Sequence, residues 1–305
     1  MTTETPPVPF DHAEMTARTW LSMMRHEVAR APLSKETVQR AEHHLDELFF
    51  DLLRGSIPDL FLEVGAHDGQ RAVRAKAEMP ICRSIALEAN PRIYERYSTA
   101  FDFAASGVTY RNLAAAGVIG EVEFHAQREQ EGAPTGDSSL LPRKPNSTVA
   151  ARESECMTIQ AVTLDSLSTT AKRVVAWVDV EGATGLVLDG SSKTLPKVKV
   201  LKVEVEEEEF WMGQQLAAKV LARLMLAGLT PIARDLGSPV QFNLLLVSDD
   251  VLGRKGVPRL IDNYLRTWQG LDLRRGEAPG LLGAVRRNPH MRTAARSIRQ
   301  ALSRP

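Results

Sequence analysis

The chain has 305 residues, of which 43 % are apolar and 25 % charged. That length suits one large α/β unit with extensions at both ends, and it can bury a continuous core without metals or disulfides. Its 38 basic residues balance 38 acidic ones, so the zero net charge argues against nucleic acid as the main partner.

Residues 1–10 are polar and proline-rich, with neither the basic start nor the apolar stretch of a secretion signal, and they read as a disordered tail. No apolar run reaches the ~18 residues that span a bilayer. The two cysteines, Cys82 and Cys156, form no disulfide framework or metal-ligand spacing and read as inert structural thiols. A cytoplasmic location is expected. Residues 11–54 read as helices, the clearest over 34–53, where Val38, Ala41, Leu45, Leu48 and Phe49 recur at helical spacing. Ser34 supplies a start signal and Gly55 the stop.

The rhythm then changes to short apolar runs separated by helical stretches. Strands are predicted at 59–64, 84–88, 108–112, 174–180, 198–205, 231–234 and 242–247, with an extra one at 122–125. Helices are predicted at 70–77, 91–105 and 213–227. Residues 126–156 read as a long polar loop, a type that in a compact domain usually serves function. A last amphipathic helix is expected over 259–268, followed from Arg274 by a basic tail. Alternating strands and helices in units of ~30 residues predict a mainly parallel seven-stranded sheet with helices on both faces. Ligands of such sheets bind at the carboxyl ends of the strands, where strand order reverses.

The unusual residues fall at those strand ends. Glu63-Val64-Gly65-Ala66-His67-Asp68-Gly69 places two glycines four apart after a buried strand, which lets the chain turn tightly beside a ligand and start a helix there. It lacks the middle glycine of the dinucleotide loop Gly-x-Gly-x-x-Gly, which argues against a nicotinamide dehydrogenase. An acid two residues before the first glycine suits a ligand carrying an ammonium and no phosphate, such as S-adenosylmethionine. Glu88, at the end of the next strand and about 20 residues on, suits the two hydroxyls of a ribose. Asp179-Val180-Glu181-Gly182 follows another apolar strand: Asp179 could hold the donor or orient an acceptor, and Glu181 could take a proton from a hydroxyl. His67 is a further acid–base candidate. Glu204 and Glu206 share one face of a strand, a pattern that with Asp179 can hold a divalent cation. The run to Glu209 is read instead as a solvated strand exit, and no metal is assigned.

Taken together, these residues resemble the FkbM family of S-adenosylmethionine-dependent methyltransferases. The resemblance covers roughly residues 59–250 and rests on the segments 62–69, 87–91, 112–114, 137–140, 162–167 and 178–183. It departs from many relatives at His67 and Thr184, where they carry Asn and Glu. The resemblance implies a class I methyltransferase fold, O-methylation of sugars or polyketide-type products, and S-adenosylmethionine as cofactor. By position, Glu63, Gly65, Ala66 and Gly69 would line the methionine end of the donor. Glu88 would bind its ribose, and Asn112 would lie near the adenine. Asp179 and Glu181 would face the transfer site, and Ser138 and Ser139 would lie in a loop over donor or acceptor. Asp179, Glu181 and His67 all remain candidates for the base.

The expected organisation is a tail (1–10), a helical extension (11–54), the methyltransferase core (55–250) and a helical, basic extension (251–305). The expected partner is a small-molecule or glycan acceptor. The competing readings are a non-catalytic scaffold with this fold and a membrane-surface protein whose basic tail contacts anionic lipid.

Overall fold

The computed structural model describes residues 9–30, 34–127, 136–145 and 154–268. The expectations for the N-terminal tail up to residue 8 and for the basic tail beyond 268 lie outside the described residues, as does much of the loop at 126–156.

Seven strands form the central sheet: β1 (Leu60–Val64), β2 (Arg83–Glu88), β3 (Val108–Asn112), β7 (Val174–Val178), β8 (Val198–Glu206), β9 (Leu229–Arg234) and β10 (Gln241–Ser248). Their order is β3-β2-β1-β7-β8-β10-β9. The first five run parallel, and β10 is antiparallel to both its neighbours. All five residues of β1 and of β7 are buried, as strands covered on both faces must be. Alternation sends Leu60, Leu62 and Val64 to one face with Val174, Ala176 and Val178, and Phe61 to the other with Val175 and Trp177.

Two long helices precede the sheet, α1 (Pro9–Arg30) and α2 (Lys35–Ser56). Ser34 caps α2 by accepting from the Thr37 amide at 3.2 Å. The helix runs through Gly55, contrary to expectation. It ends where Ile57, held left-handed at φ 50°, precedes Pro58, because a proline disfavours helical geometry in the residue before it. Phe49 of α2 meets the Trp177 ring edge-on at 5.2 Å and the Phe61 ring at 6.2 Å, so this helix covers one face of the sheet. The remaining helices are α3 (Gln70–Glu78), α4 (Pro91–Ala100), α5 (Leu164–Leu167), α6 (Thr184–Asp189), α7 (Ala217–Leu226), α8 (Asp249–Leu252) and α9 (Val257–Trp268).

Two helices are shorter than predicted. α4 stops at Ala100, after which Phe101 and Phe103 fold back towards Tyr110. α7 begins only at Ala217, because Gly213 turns left-handed at φ 79° ahead of it.

A second sheet lies outside the main one, in the order β4 (Ala114–Ala115), β6 (Ser154–Val162), β5 (Gly120–Gln127). The extra strand expected at 122–125 belongs to it. β6 overturns part of the expected loop, since strand structure resumes at Ser154 and pairs with β5 along its length. Met157, Ile159 and Ala161 face its small core, while Thr158 and Gln160 face out. Of the two thiols, Cys82 is buried, whereas Cys156 is exposed on β6 opposite His125. Among the described residues, no helix is long and apolar enough to cross a membrane.

Candidate active site

The strand order reverses between β1 and β7, and the chain leaves both strands through sharp turns. Asp179 donates its amide to the Val64 carbonyl at 2.9 Å, which holds the two strand ends together. Gly65 sits against that join at φ 74°, where a Cβ would lie 1.7 Å from the Asp179 carbonyl oxygen. Only glycine fits both the backbone angle and the space. His67 and Glu181, on the two sides of the join, are themselves left-handed at φ 48°. Such strain on non-glycine residues persists where the surroundings enforce it, and it clusters at functional sites.

A cavity of about 300 Å³ opens at this reversal, within the size range of small-molecule sites. Gly65, His67, Glu88, Ser138, Ser139, Asp179 and Glu181 all line it. Glu63, Ala66, Gly69 and Asn112 stand behind the wall. Glu63 is 1 % exposed and accepts from the Ala72 amide at 2.7 Å, capping the first turn of α3 with a carboxylate. Burial pushes its carboxyl up to about 8, and its other oxygen, Oε1, is buried without a partner. A Cβ at Gly69 would lie 2.6 Å from the Phe103 ring, so Gly69 serves the packing of the loop. The Asn112 amide donates to the Glu88 and Ala89 carbonyls at 2.8 and 3.1 Å, pinning the end of β2.

Glu88 is held from both sides. One carboxylate oxygen accepts from the His67 amide and the other from the Asn90 amide, each at 2.7 Å. A carboxylate oxygen has room for a second donor, so two further hydroxyls can bind from the cavity. Burial, reinforced by the Asp179 charge, raises this carboxyl to about 7 against the pull of the two amides. The Tyr110 hydroxyl fixes the His67 carbonyl, and the His67 ring lies 5.0 Å from that of Tyr97. Burial lowers the His67 imidazole, which favours its neutral form.

The opposite wall is acidic. Burial raises the Glu181 carboxyl, helped by Asp179, Glu206 and Asp137 and opposed by Arg143. Gln241 donates to it at 3.4 Å. Ser139 donates to the Glu181 carbonyl at 2.7 Å, and Ser138 accepts from the Gln127 amide at 3.0 Å, so both serines tie their segment to the cavity's rim. Glu204 and Glu206 are not a solvated strand exit. Glu206 is 1 % exposed, accepting from the Gly182 amide at 3.1 Å and from Gln214 at 3.2 Å. Glu204 also faces inward, and burial pushes its carboxyl well up. Thr184 turns away from the cavity and donates to the Glu204 carbonyl.

Sequence reasoning missed Arg71 and Asn90, both on the cavity wall, and Gln241 and Gln214, which brace the acidic side. Asn90 was legible as an N-cap before Pro91, since its side chain accepts from the Arg92 amide. Gln241 comes from a distant segment, 60 residues from Glu181, and Gln214 reaches back eight residues to Glu206 from the loop after the strand.

A sheet of this order, with acids at the strand tips around its reversal, is the architecture of a class I methyltransferase. The family model described as "Methyltransferase FkbM domain" matches residues 63–237, more than half of the chain. The chain belongs to this family, and it is an S-adenosylmethionine-dependent methyltransferase. No curated protein sequence gives a significant match. Among solved structures, it is similar to a precorrin-6y C5,15-methyltransferase from Geobacter metallireducens, at 15 % identity and a TM-score of 0.34, covering 62 % of this chain and 79 % of that one. It is also similar to an O-methyltransferase from Bacillus cereus in complex with S-adenosylhomocysteine, at 10 % identity and a TM-score of 0.36, covering 81 % and 94 %.

Proposed function

We propose that the protein methylates a hydroxyl of a small molecule or glycan, such as a sugar or polyketide-type product. The observation that carries this reading is that Glu88 and the Asp179–Glu181 pair wall one cavity from strand tips on either side of β1. One side then suits a ribose and the other a hydroxyl that must lose its proton. The donor supplies an electrophilic methyl group on a sulfonium centre. Glu88 would hold the ribose hydroxyls through the lone pairs left free by His67 and Asn90. Gly65 would let the β1 turn approach the donor closely, with Glu63 and Gly69 shaping that turn from behind.

On the acceptor side, alignment of the hydroxyl with the methyl carbon supplies most of the rate. A carboxylate of Asp179 or Glu181 would accept the hydroxyl proton as the oxygen–carbon bond forms and the carbon–sulfur bond breaks. Ser138 and Ser139 would shape the acceptor end. The division into helical extension, core and basic extension is part of the same proposal.

Titration calorimetry with S-adenosylmethionine, paired with a turnover assay on a panel of hydroxylated acceptors, tests it. In Glu181→Gln, donor affinity is expected to match the parent while turnover falls by about 10²-fold or more. Equal turnover in both proteins would remove Glu181 from the chemistry.

A further inference from the structure

Asp179, Glu181 and Glu204 each bring a carboxylate oxygen to one spot, all within 4.8 Å of one another. Asp179 follows β7, Glu181 occupies the strained turn after it, and Glu204 comes from the adjacent strand β8. Glu204 brings one oxygen to this cluster, and its Oε2 is buried without a hydrogen-bond partner, while the Gln241 amide acts on the carboxyl from beside it. Buried polar atoms in native structures nearly always have partners, so an orphaned carboxylate oxygen among other carboxylates points to a missing positive ligand. Glu206 is different, because both its oxygens are taken by Gly182 and Gln214. Arg143, whose charge acts on Glu181, lies over the Trp211 ring at 4.3 Å.

The spacing suits a hard cation. Around an octahedral ion with metal–oxygen distances of about 2.1–2.4 Å, neighbouring oxygens lie about 3.0–3.4 Å apart and opposite ones about 4.2–4.8 Å apart. The donor set is all oxygen, which selects Mg²⁺, Mn²⁺ or Ca²⁺ over softer metals. The cluster is also open on one side, because Asp179 and Glu181 line the cavity.

We propose that Asp179, Glu181 and Glu204 form a divalent-cation site at the acceptor side of the cavity, with an acceptor hydroxyl and water taking the remaining coordination positions. This rests on the hydroxyl-methylating reading above and deepens it. The cation would position the acceptor oxygen and favour its deprotonated form. The bonds made and broken in methyl transfer stay the same.

The test is Mn²⁺ binding to the full chain without donor or acceptor, followed by the loss of the free-ion electron paramagnetic resonance signal. One tight ion per chain is expected. Glu204→Gln, which keeps the side chain's size, should weaken that binding by at least about tenfold, while its affinity for S-adenosylmethionine and its melting temperature show that the fold persists. Should Glu204→Gln unfold, Glu181→Gln serves as the second variant, with the same loss expected. Absence of Mn²⁺ binding at millimolar concentration, or equal binding by parent and variant, would overturn the site. The two readings fail separately. Turnover that survives a chelator removes the cation and leaves the methylation, whereas Mn²⁺ binding with no turnover on any hydroxyl does the reverse.

Discussion

Replacing Glu88 by Gln tests the donor side most directly. The parent carboxylate accepts two backbone amides at 2.7 Å, which leaves one lone-pair position on each oxygen of this cavity-lining residue. Gln keeps one accepting oxygen and turns an NH₂ group towards either the His67 or the Asn90 amide. One hydroxyl contact and the negative charge are lost together. A hydrogen bond to a charged group contributes about 1.5–3 kcal/mol, so the dissociation constant for S-adenosylmethionine should rise about tenfold to ~150-fold. The amide left facing an NH₂ group should also lower the melting temperature by a few degrees. Calorimetry at about pH 8.5, where the parent Glu88 is ionised, reads the affinity. A cooperatively folded variant that binds the donor within about threefold of the parent would refute the assignment.

Two further outcomes follow from the same geometry. Gly65→Ala combines a left-handed backbone angle with a Cβ at 1.7 Å from a backbone oxygen, and urea denaturation should show a loss of at least about 3 kcal/mol; a loss below about 1 kcal/mol would mean the β1–β7 join is looser than described. Burial raises Glu88 to about 7 and Glu63 to about 8, so between the ordinary carboxylate range and those values the folded chain binds protons that the unfolded chain has released. Stability from these two groups is therefore full at low pH and declines as pH rises through 7 to 8. Histidines such as His67, lowered by burial, act in the opposite direction only below about 6.5. The melting temperature of the ligand-free protein should thus fall between about pH 6.5 and 8.5, and a flat or rising profile would contradict the buried-acid description.

What was legible in the sequence was local. Buried strands announce themselves as short apolar runs, and Gly65, Glu88, Asp179 and Glu181, named from the ends of those runs, all line the cavity. The less visible features depend on distant segments. Glu204 and Glu206 look like the start of a solvated acidic run. Their burial comes from pairing with β10 and from Gly182, which approach from elsewhere in the chain, and from Gln214, which folds back onto Glu206. The motif points Glu63 and Gly69 towards the ligand, but the Glu63 side chain turns to the start of α3, and the Gly69 backbone packs under the Phe103 ring. The alternation of Met157, Ile159 and Ala161 was a usable strand signal, masked by the polar stretch before it. Gly55 reads as a helix stop, whereas the following Ile57-Pro58 pair sets the end.

The packing of α2 has a practical consequence for anyone dividing this protein. The matched family segment begins at residue 63, after the helix whose Phe49 and Phe50, 0 % and 2 % exposed, close one side of the sheet. A shortened version starting at the first strand would uncover the faces of Phe61 and Trp177 to water and invite self-association. The helix α2 works as a floor under the sheet, and enzyme preparations intended for screening acceptors should retain it.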